Sequence, residues 1–141
     1  MKRKPNKRVT AARACQRLQL YVKLLETDEN GYGKCCSCGE VKAWGELQGG
    51  HFQPKGRNYN AACLEEDNVH IQCTTCNLYR GGNPAGYLKY MLAEYGAEAV
   101  EEIAQMSYGT LTMDEIQDLA KIYKEKCKRL ANTKMFKVTV K

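Results

Sequence analysis

Two pairs of cysteines, each with two residues between its members, constrain the fold of this chain more than any other feature. The pairs are Cys35–Cys38 and Cys73–Cys76, and 34 residues separate them. A C-x-x-C turn aims two thiolates at one ion, so two such turns can form a closed tetrahedral Cys₄ site for zinc. Gly39, directly after the first pair, is typical of a zinc knuckle. The sequence therefore predicts a structural Zn²⁺ ion in the middle of the chain.

The other cysteines leave two alternatives to this assignment. Cys36 competes with Cys35 as a ligand, but only Cys35 gives the two-residue spacing. Disulfide bonds are the second alternative, and the scattered positions of the remaining cysteines argue against them. No hydrophobic signal core follows the basic start of the chain, so we expect a cytoplasmic protein with reduced thiols. Cys15 is predicted to pack as a small apolar residue, and Cys63 is assigned no role in zinc binding.

Positive charge is concentrated at the two ends of the chain. The net charge is +6, but residues 1–26 carry +7, residues 27–120 carry −8 and residues 121–141 carry +7. This pattern predicts that the ends bind a polyanion such as DNA, although solvated helix faces and a tail would look the same. The candidate phosphate contacts are Lys2, Arg3, Lys4, Lys7, Arg8, Arg13, Arg17, Lys55 and Arg57.

Length and periodicity predict one domain with a short arm. Residues 1–9 read as a flexible basic arm, and residues 10–141 as a single domain with a C-terminal helical extension. No apolar run approaches the roughly 18 residues that a membrane span needs, so no membrane partner is expected. The predicted helices are 11–26, 74–80, 84–95, 97–105 and 113–131, and the predicted strands are 47–52, 68–72 and 134–141.

The residues between and after the knuckles resemble a known nuclease motif. His51, Asn68 and Asn77 stand in the order His…Asn…Asn around a predicted strand–strand–helix unit. This resembles the ββα-metal core of HNH nucleases, in the variant with Asn at the third position. The run G-H-F…N-V-H-x-Q-C-x-x-C-N…G-N is similar to that of the NinG/Rap family of phage recombination endonucleases, most clearly over residues 32–95.

The resemblance implies a fold, a reaction and a setting. The fold would be α+β, a zinc-stapled ββα-metal (HNH-like) core with flanking N- and C-terminal helices. The activity would be that of a metal-dependent endodeoxyribonuclease that hydrolyses branched DNA intermediates of phage recombination. The protein would be encoded by a phage or prophage and would act in the cytoplasm of the bacterial host. A homodimer is expected of a junction-cleaving enzyme.

The resemblance also implies roles for the three motif residues. His51 would be the general base, because neutral imidazole accepts a proton near pH 7. Asn77 would bind a catalytic divalent cation, Mg²⁺ or Mn²⁺, through its amide oxygen. Asn68 would orient the His51 strand by hydrogen bonding.

One departure from the HNH pattern leaves the cation short of a ligand. Many HNH nucleases have a metal-binding Asp directly before the first His, where this chain has Gly50. We consider His70 as the replacement, because alternation on a strand puts Asn68, His70 and Gln72 on one face. The alternative is that His70 hydrogen-bonds backbone or contacts a phosphate.

Two other functions fit the same features. A non-catalytic zinc-knuckle module would bind DNA or RNA with the same basic ends. A zinc-stapled adaptor would instead bind a protein through the apolar face of its C-terminal helix. Divalent-cation-dependent nicking of DNA separates the nuclease from both.

Overall fold

The computed structural model describes residues 3–141 as an α+β protein in which long helices surround two small antiparallel sheets. The helices are α1 (Lys7–Leu25), α2 (Pro84–Tyr95), α3 (Ala97–Met106) and α4 (Met113–Ala131). The strands are β1 (Gly33–Lys34), β2 (Val41–Lys42), β3 (Leu47–His51) and β4 (Val69–Cys73). Short 3₁₀-helices span Trp44–Glu46, Ala61–Leu64 and Glu66–Asn68, and a π-helix spans Thr75–Tyr79. Within residues 3–141, every helix is too short or too polar to cross a bilayer.

Helix α1 begins at Lys7, earlier than the predicted residue 11, so residues 7–9 belong to the helix and not to the predicted arm. Asn6 is the N-cap, with its Oδ1 accepting a hydrogen bond from the Val9 amide at 3.1 Å. Asn is at least as favourable an N-cap as Thr10, the residue that would cap a helix starting at residue 11. Lys7 and Arg8 therefore lie on the exposed first turn of α1, and fewer basic residues precede it.

The helices α2 and α4 begin where the sequence predicts. Asn83 caps α2, and Pro84 occupies its first turn, where a missing N–H costs nothing. Thr112 caps α4 by accepting a hydrogen bond from the Glu115 amide at 3.2 Å, and its hydroxyl lies 3.0 Å from the Glu115 carboxylate. Both predicted starts are therefore confirmed. A helix cap depends on a few adjacent residues, so the local sequence is enough to predict it.

Helix α1 forms the centre of the core, between α4 and the β3–β4 hairpin. The buried residues at this contact are Leu18, Val22, Leu47, Val69, Ile71 and Tyr123. Gly49 allows the close approach, because a Cβ there would lie 2.8 Å from the Gln19 carbonyl oxygen. Any larger residue at position 49 would push the strand away from α1.

The strands β3 and β4 pair antiparallel, as predicted, with each strand shifted by at most one residue from its expected bounds. Leu47 lies opposite Cys73 at one end of the ladder, and His51 lies opposite Val69 at the other. The π-helix Thr75–Tyr79 follows β4 directly, where the sequence predicts a short helix. The chain therefore contains the expected strand–strand–helix order.

Both outer edges of this hairpin carry hydrogen bonds to other elements. On β4, the Ile71 amide donates to Glu26 Oε1 at 3.0 Å, and the Ile71 carbonyl accepts from the Cys36 amide at 2.9 Å. On β3, the Gly49 carbonyl accepts from Gln19 Nε2 at 2.7 Å. The side chains of Glu26 and Gln19 and the backbone of the first knuckle therefore use backbone groups with which an additional strand would pair.

The predicted strand at residues 134–141 is wrong, since this described segment contains no strand. Lys134 Nζ instead donates to the carbonyls of Thr27 at 2.7 Å and Asp28 at 2.9 Å. Phe136 packs edge-on against Trp44, with ring centroids 5.2 Å apart. Phe136 is thus packed against Trp44 and the turn at Gly31, whereas Met135 is exposed.

Candidate metal and catalytic site

The four knuckle cysteines converge as the sequence predicts. The Sγ atoms of Cys35, Cys38, Cys73 and Cys76 all lie within 4.8 Å of one another. The Sγ atoms of Cys38 and Cys73 are 3.8 Å apart. Tetrahedral zinc with Zn–S bonds of about 2.3 Å places its sulfurs about 3.8 Å apart. The group could therefore hold a structural zinc ion.

Backbone donors favour a thiolate at Cys35, whereas burial raises the pKa values of Cys38 and Cys76. Burial alone would raise the pKa of Cys35, but hydrogen bonds from the amides of Cys73, Cys38 and Ser37 bring it down to about 7. Asn83 Nδ2 donates to Cys76 Sγ at 3.4 Å. Cys36 lies outside the group, and burial raises its pKa, so it is unsuited to replace Cys35.

His51, at the end of β3, lies against a backbone carbonyl. Its Nε2 is 3.0 Å from the Cys63 carbonyl oxygen and 3.5 Å from Cys15 Sγ. Because a carbonyl can only accept, we assign the proton to Nε2, which leaves Nδ1 as an unprotonated imine nitrogen. Within residues 3–141, Nδ1 has no hydrogen-bond partner. The half-buried His51 therefore offers a free basic nitrogen with a fixed orientation.

Asn68 holds the loop that carries this carbonyl. Its Oδ1 accepts from the Gln53 amide at 2.7 Å, and its Nδ2 donates to the carbonyls of Gln53 at 3.1 Å and Ala62 at 2.8 Å. The Asn68 carbonyl also accepts from the Phe52 amide at 2.9 Å. Asn68 is fully buried, so these bonds are shielded from water. Since Ala62 adjoins Cys63, Asn68 is placed to orient His51 indirectly.

Cys15 and Cys63 form a thiol pair beside His51. The hydrogen bond from Cys63, together with smaller effects of His51 and Lys55, lowers the pKa of Cys15 to about 5 against the opposing effect of burial. The same pairing, together with burial, raises the pKa of Cys63. The charge of Lys55 lowers the pKa of both thiols, which places this predicted phosphate contact near His51.

Asn77 lies in the π-helix after β4, beside the Gln48 end of β3, whereas His51 ends that strand. Its Nδ2 donates to Gln48 Oε1 in a short contact. A cleft of about 280 Å³ between α1 and β3 contains both side chains and that of Lys23. Gln48 precedes His51 by three residues, about 10 Å along a strand, and their side chains point to opposite faces. Within the described chain, Asn77 and His51 are not in contact.

Gln48 and Lys23 were missed by the sequence prediction. Alternation along β3 places Gln48 on the same face as Gly50, which is the face of the missing Asp. That signal was available in the sequence. The position of Lys23 depends on how α1 packs, so no local pattern indicates it.

Gln72 fills the space above Gly50. A Cβ on Gly50 would lie 1.9 Å from Gln72 Oε1. Gln72 Nε2 donates to Ser37 Oγ and to the Gly82 carbonyl, each at 2.7 Å, which fixes the amide orientation. Its Oε1 is buried without a hydrogen-bond partner in residues 3–141. An Asp at position 50 would require Gln72 to move.

His70 is not available as a metal ligand. It lies opposite Gly50 in the ladder, but its Nδ1 is 2.8 Å from Glu26 Oε2. Its Nε2 is 3.0 Å from the Asp67 carbonyl oxygen and 2.9 Å from the Tyr95 hydroxyl. Both ring nitrogens are occupied and the residue is buried, so the structure supports the alternative of a backbone hydrogen bond.

The basic residues divide into exposed and engaged groups. Arg17 donates to the carbonyls of Ala120 at 2.9 Å and Lys141 at 3.0 Å, so it joins α1 to α4 and the C-terminus. This corrects its assignment as a phosphate contact. Lys2 lies outside the described residues. Of the predicted phosphate contacts within residues 3–141, the exposed ones are Arg3, Lys4, Lys7, Arg8, Arg13 and Arg57.

Comparison with known proteins gives one consistent result. A family model described as the bacteriophage lambda NinG protein matches residues 2–133. The chain is 29% identical over 101 residues to protein ninG of Escherichia phage lambda, covering 71% of this chain and 48% of that protein. Protein ninG of Salmonella phage P22 is 27% identical over 101 residues, covering 71% and 49%. The chain thus spans about half the length of these relatives. No solved structure matches.

Proposed function

The chain belongs to the NinG family of bacteriophage proteins, and from that premise we propose that it is a metal-dependent endodeoxyribonuclease of the HNH type. The observation that supports this best is the orientation of His51, whose Nε2 meets a backbone carbonyl while Nδ1 stays free. We further propose that its substrate is branched DNA, as the resemblance to phage recombination endonucleases implies.

In the proposed reaction His51 acts as the general base. Its Nδ1 takes a proton from water as the oxygen attacks phosphorus, and the Cys63 carbonyl stabilises the imidazolium that forms. Asn68 keeps that carbonyl in place through Ala62. We propose that Lys55, whose charge lowers the pKa of Cys15 beside His51, contacts the phosphate.

Asn77 and Gln48 are the side chains proposed to hold the cation. Amide oxygens suit hard divalent ions such as Mg²⁺ or Mn²⁺. Rotating the Asn77 amide would present its Oδ1 beside Gln48 Oε1, in the cleft that contains both. A bound cation would stabilise charge on the phosphate and the leaving oxygen. Gln48 would thus replace the carboxylate that Gly50 lacks.

The cleft and His51 can act on one phosphodiester group. In this proposal a DNA backbone runs along the outer side of β3, where no strand pairs within residues 3–141 and Gln19 makes a side-chain hydrogen bond, and it meets residues from both faces. The backbone positions of Gln48 and His51 are about 10 Å apart along the strand, and the phosphate would lie between the two side chains.

We test this proposal with a plasmid and a four-way junction of matched length. The purified chain is expected to cleave DNA with Mg²⁺ or Mn²⁺ and not with EDTA, and to cut the junction in preference to linear duplex. Binding without cleavage under every divalent cation would favour the zinc-knuckle binding module instead.

Gln48→Ala is expected to raise the Mg²⁺ concentration for half-maximal cleavage by about tenfold or more, since one of two protein ligands is lost. Gln48→Glu should lower that concentration below the wild-type value, because a carboxylate binds Mg²⁺ more strongly. The readout is a Mg²⁺ titration of junction cleavage. An unchanged requirement in both variants would contradict the role of Gln48.

The exposed bases at the start of the chain are expected to set DNA affinity. Replacing Arg3, Lys4, Lys7 and Arg8 by Gln removes four charges while retaining the Asn6 cap. If all four contact phosphates, the negative slope of log K against log salt should become shallower by about 3.6 for duplex DNA. Arg17→Gln is the comparison, and it should change the slope little while lowering the melting temperature. An unchanged slope in the fourfold variant would place the DNA elsewhere.

A further inference from the structure

Three metal-binding side chains outside the zinc knuckles meet in one place. Cys15 comes from α1, His51 from the end of β3, and Cys63 from the 3₁₀-helix Ala61–Leu64. Their ligand atoms all lie within 4.8 Å of one another. Cys15 and Cys63 are buried and His51 is half-buried, so the group opens to solvent on the imidazole side.

We propose that Cys15, His51 and Cys63 form a second metal site, for a thiophilic divalent cation such as Zn²⁺. Zn–S and Zn–N bonds of about 2.3 and 2.0 Å at a tetrahedral angle place sulfur and nitrogen about 3.5 Å apart. The distance from Cys15 Sγ to His51 Nε2 is 3.5 Å. The ligand atoms of the three side chains are therefore already close enough to bind one zinc ion without a change in the backbone.

The surroundings of the group fit an open metal site. Three protein ligands leave a fourth position for water, as in zinc sites that are not closed. The Cys15 thiol donates to Gln19 Oε1 at 3.8 Å, and this hydrogen bond is given up when Cys15 binds a metal as a thiolate.

Metal binding at this site requires a change in protonation. The two thiols become thiolates and release their protons to solvent. Neutral His51 moves its proton from Nε2 to Nδ1, so that Nε2 can bind the ion and the hydrogen bond to the Cys63 carbonyl is lost. A protonated Nδ1 is no longer a base. Occupancy of the site therefore stops hydrolysis, an effect that rests on the proposed function, whereas the site itself does not.

Metal stoichiometry tests the site without any assay of activity. The full chain, saturated with Zn²⁺ and passed through a desalting column, is expected to carry two Zn²⁺ per chain. Cys15→Ser and Cys63→Ser should each carry one. Cys127→Ser is the matched control, because Cys127 is equally buried but lies outside both groups, and it should carry two. One Zn²⁺ in the wild type, or two in the Cys15 and Cys63 variants, would overturn the proposal.

A spectroscopic measurement covers the case in which the cysteine variants misfold. With Zn²⁺ retained in the knuckles, one equivalent of Co²⁺ should give wild-type protein the charge-transfer absorption of thiolate–Co²⁺ bonds. His51→Ala, a change at a half-buried residue, should weaken Co²⁺ binding by at least tenfold. Absence of the thiolate band in wild-type protein would also overturn the site.

The inhibitory effect has its own readout. Micromolar Zn²⁺ added to a Mg²⁺-supported cleavage reaction should inhibit the wild type, and Cys63→Ser should resist that inhibition. If Zn²⁺ binds at the second site while cleavage continues, the inhibitory role is overturned and the site remains. If the wild type never cleaves DNA but binds two Zn²⁺, the proposed function fails and the site stands.

Discussion

His51→Ala is expected to lower the rate of DNA cleavage by about 10²–10⁴-fold, the contribution usual for a positioned general base. The expectation depends on the free Nδ1 of His51 and on the carbonyl that orients the ring. Binding affinity for the same junction should change by less than twofold, because the exposed bases supply it. Single-turnover cleavage and a filter-binding assay measure the two quantities.

Two controls separate this effect from misfolding. The variant should keep its knuckle zinc and its melting temperature, since His51 is half-buried and lies outside the Cys₄ group. Imidazole added to the reaction should restore part of the activity to His51→Ala and none to Asn77→Ala. A His51→Ala protein that cleaves as fast as the wild type would refute the HNH assignment.

Cys73→Ser is expected to abolish cooperative folding. Structural zinc contributes about 10–16 kcal/mol of binding free energy in small zinc domains, and a typical domain is stable by about 5–15 kcal/mol. Cys73 is the last residue of β4, and Cys76 lies in the π-helix, so losing the metal removes the link that fixes the π-helix against the hairpin. Zinc content should fall below one equivalent, and the thermal transition should broaden or disappear.

Cys36→Ser is the matched control for this loss. Cys36 adjoins the ligand Cys35 but lies outside the cluster. Its variant should therefore retain the knuckle zinc and a cooperative transition. If Cys73→Ser melts like the wild type, zinc does not hold this fold together. If Cys36→Ser loses the ion, the ligand is Cys36 rather than Cys35.

The features that could be predicted from the sequence depend on short-range spacing. The C-x-x-C pairs identify four side chains that the structure brings together. Asn83–Pro84 and Thr112 with Glu115 identify the starts of α2 and α4. In each case a few neighbouring residues determine the geometry, so the distant parts of the chain do not alter the result.

The features that were missed depend on tertiary packing. Two residues compete to cap α1, and only the folded structure shows that Asn6 begins it. Cys15 and Cys63 are separated by 48 positions and meet at His51 only because α1 packs against Gly49. The distance between Asn77 and His51 likewise follows from the direction of the helix after β4, which the order of motif residues does not specify.

The occupied edges of the β3–β4 hairpin have a consequence for self-association. A bare strand edge is a template on which a second chain can add, and it promotes aggregation and intermolecular sheets. Glu26 and Cys36 use the amide and carbonyl of Ile71, and Gln19 uses the carbonyl of Gly49. A second copy could therefore pair with β4 at Ile71 or with β3 at Gly49 only by displacing these contacts. In the proposed function, a dimer on a DNA junction would then meet through surfaces other than these two positions.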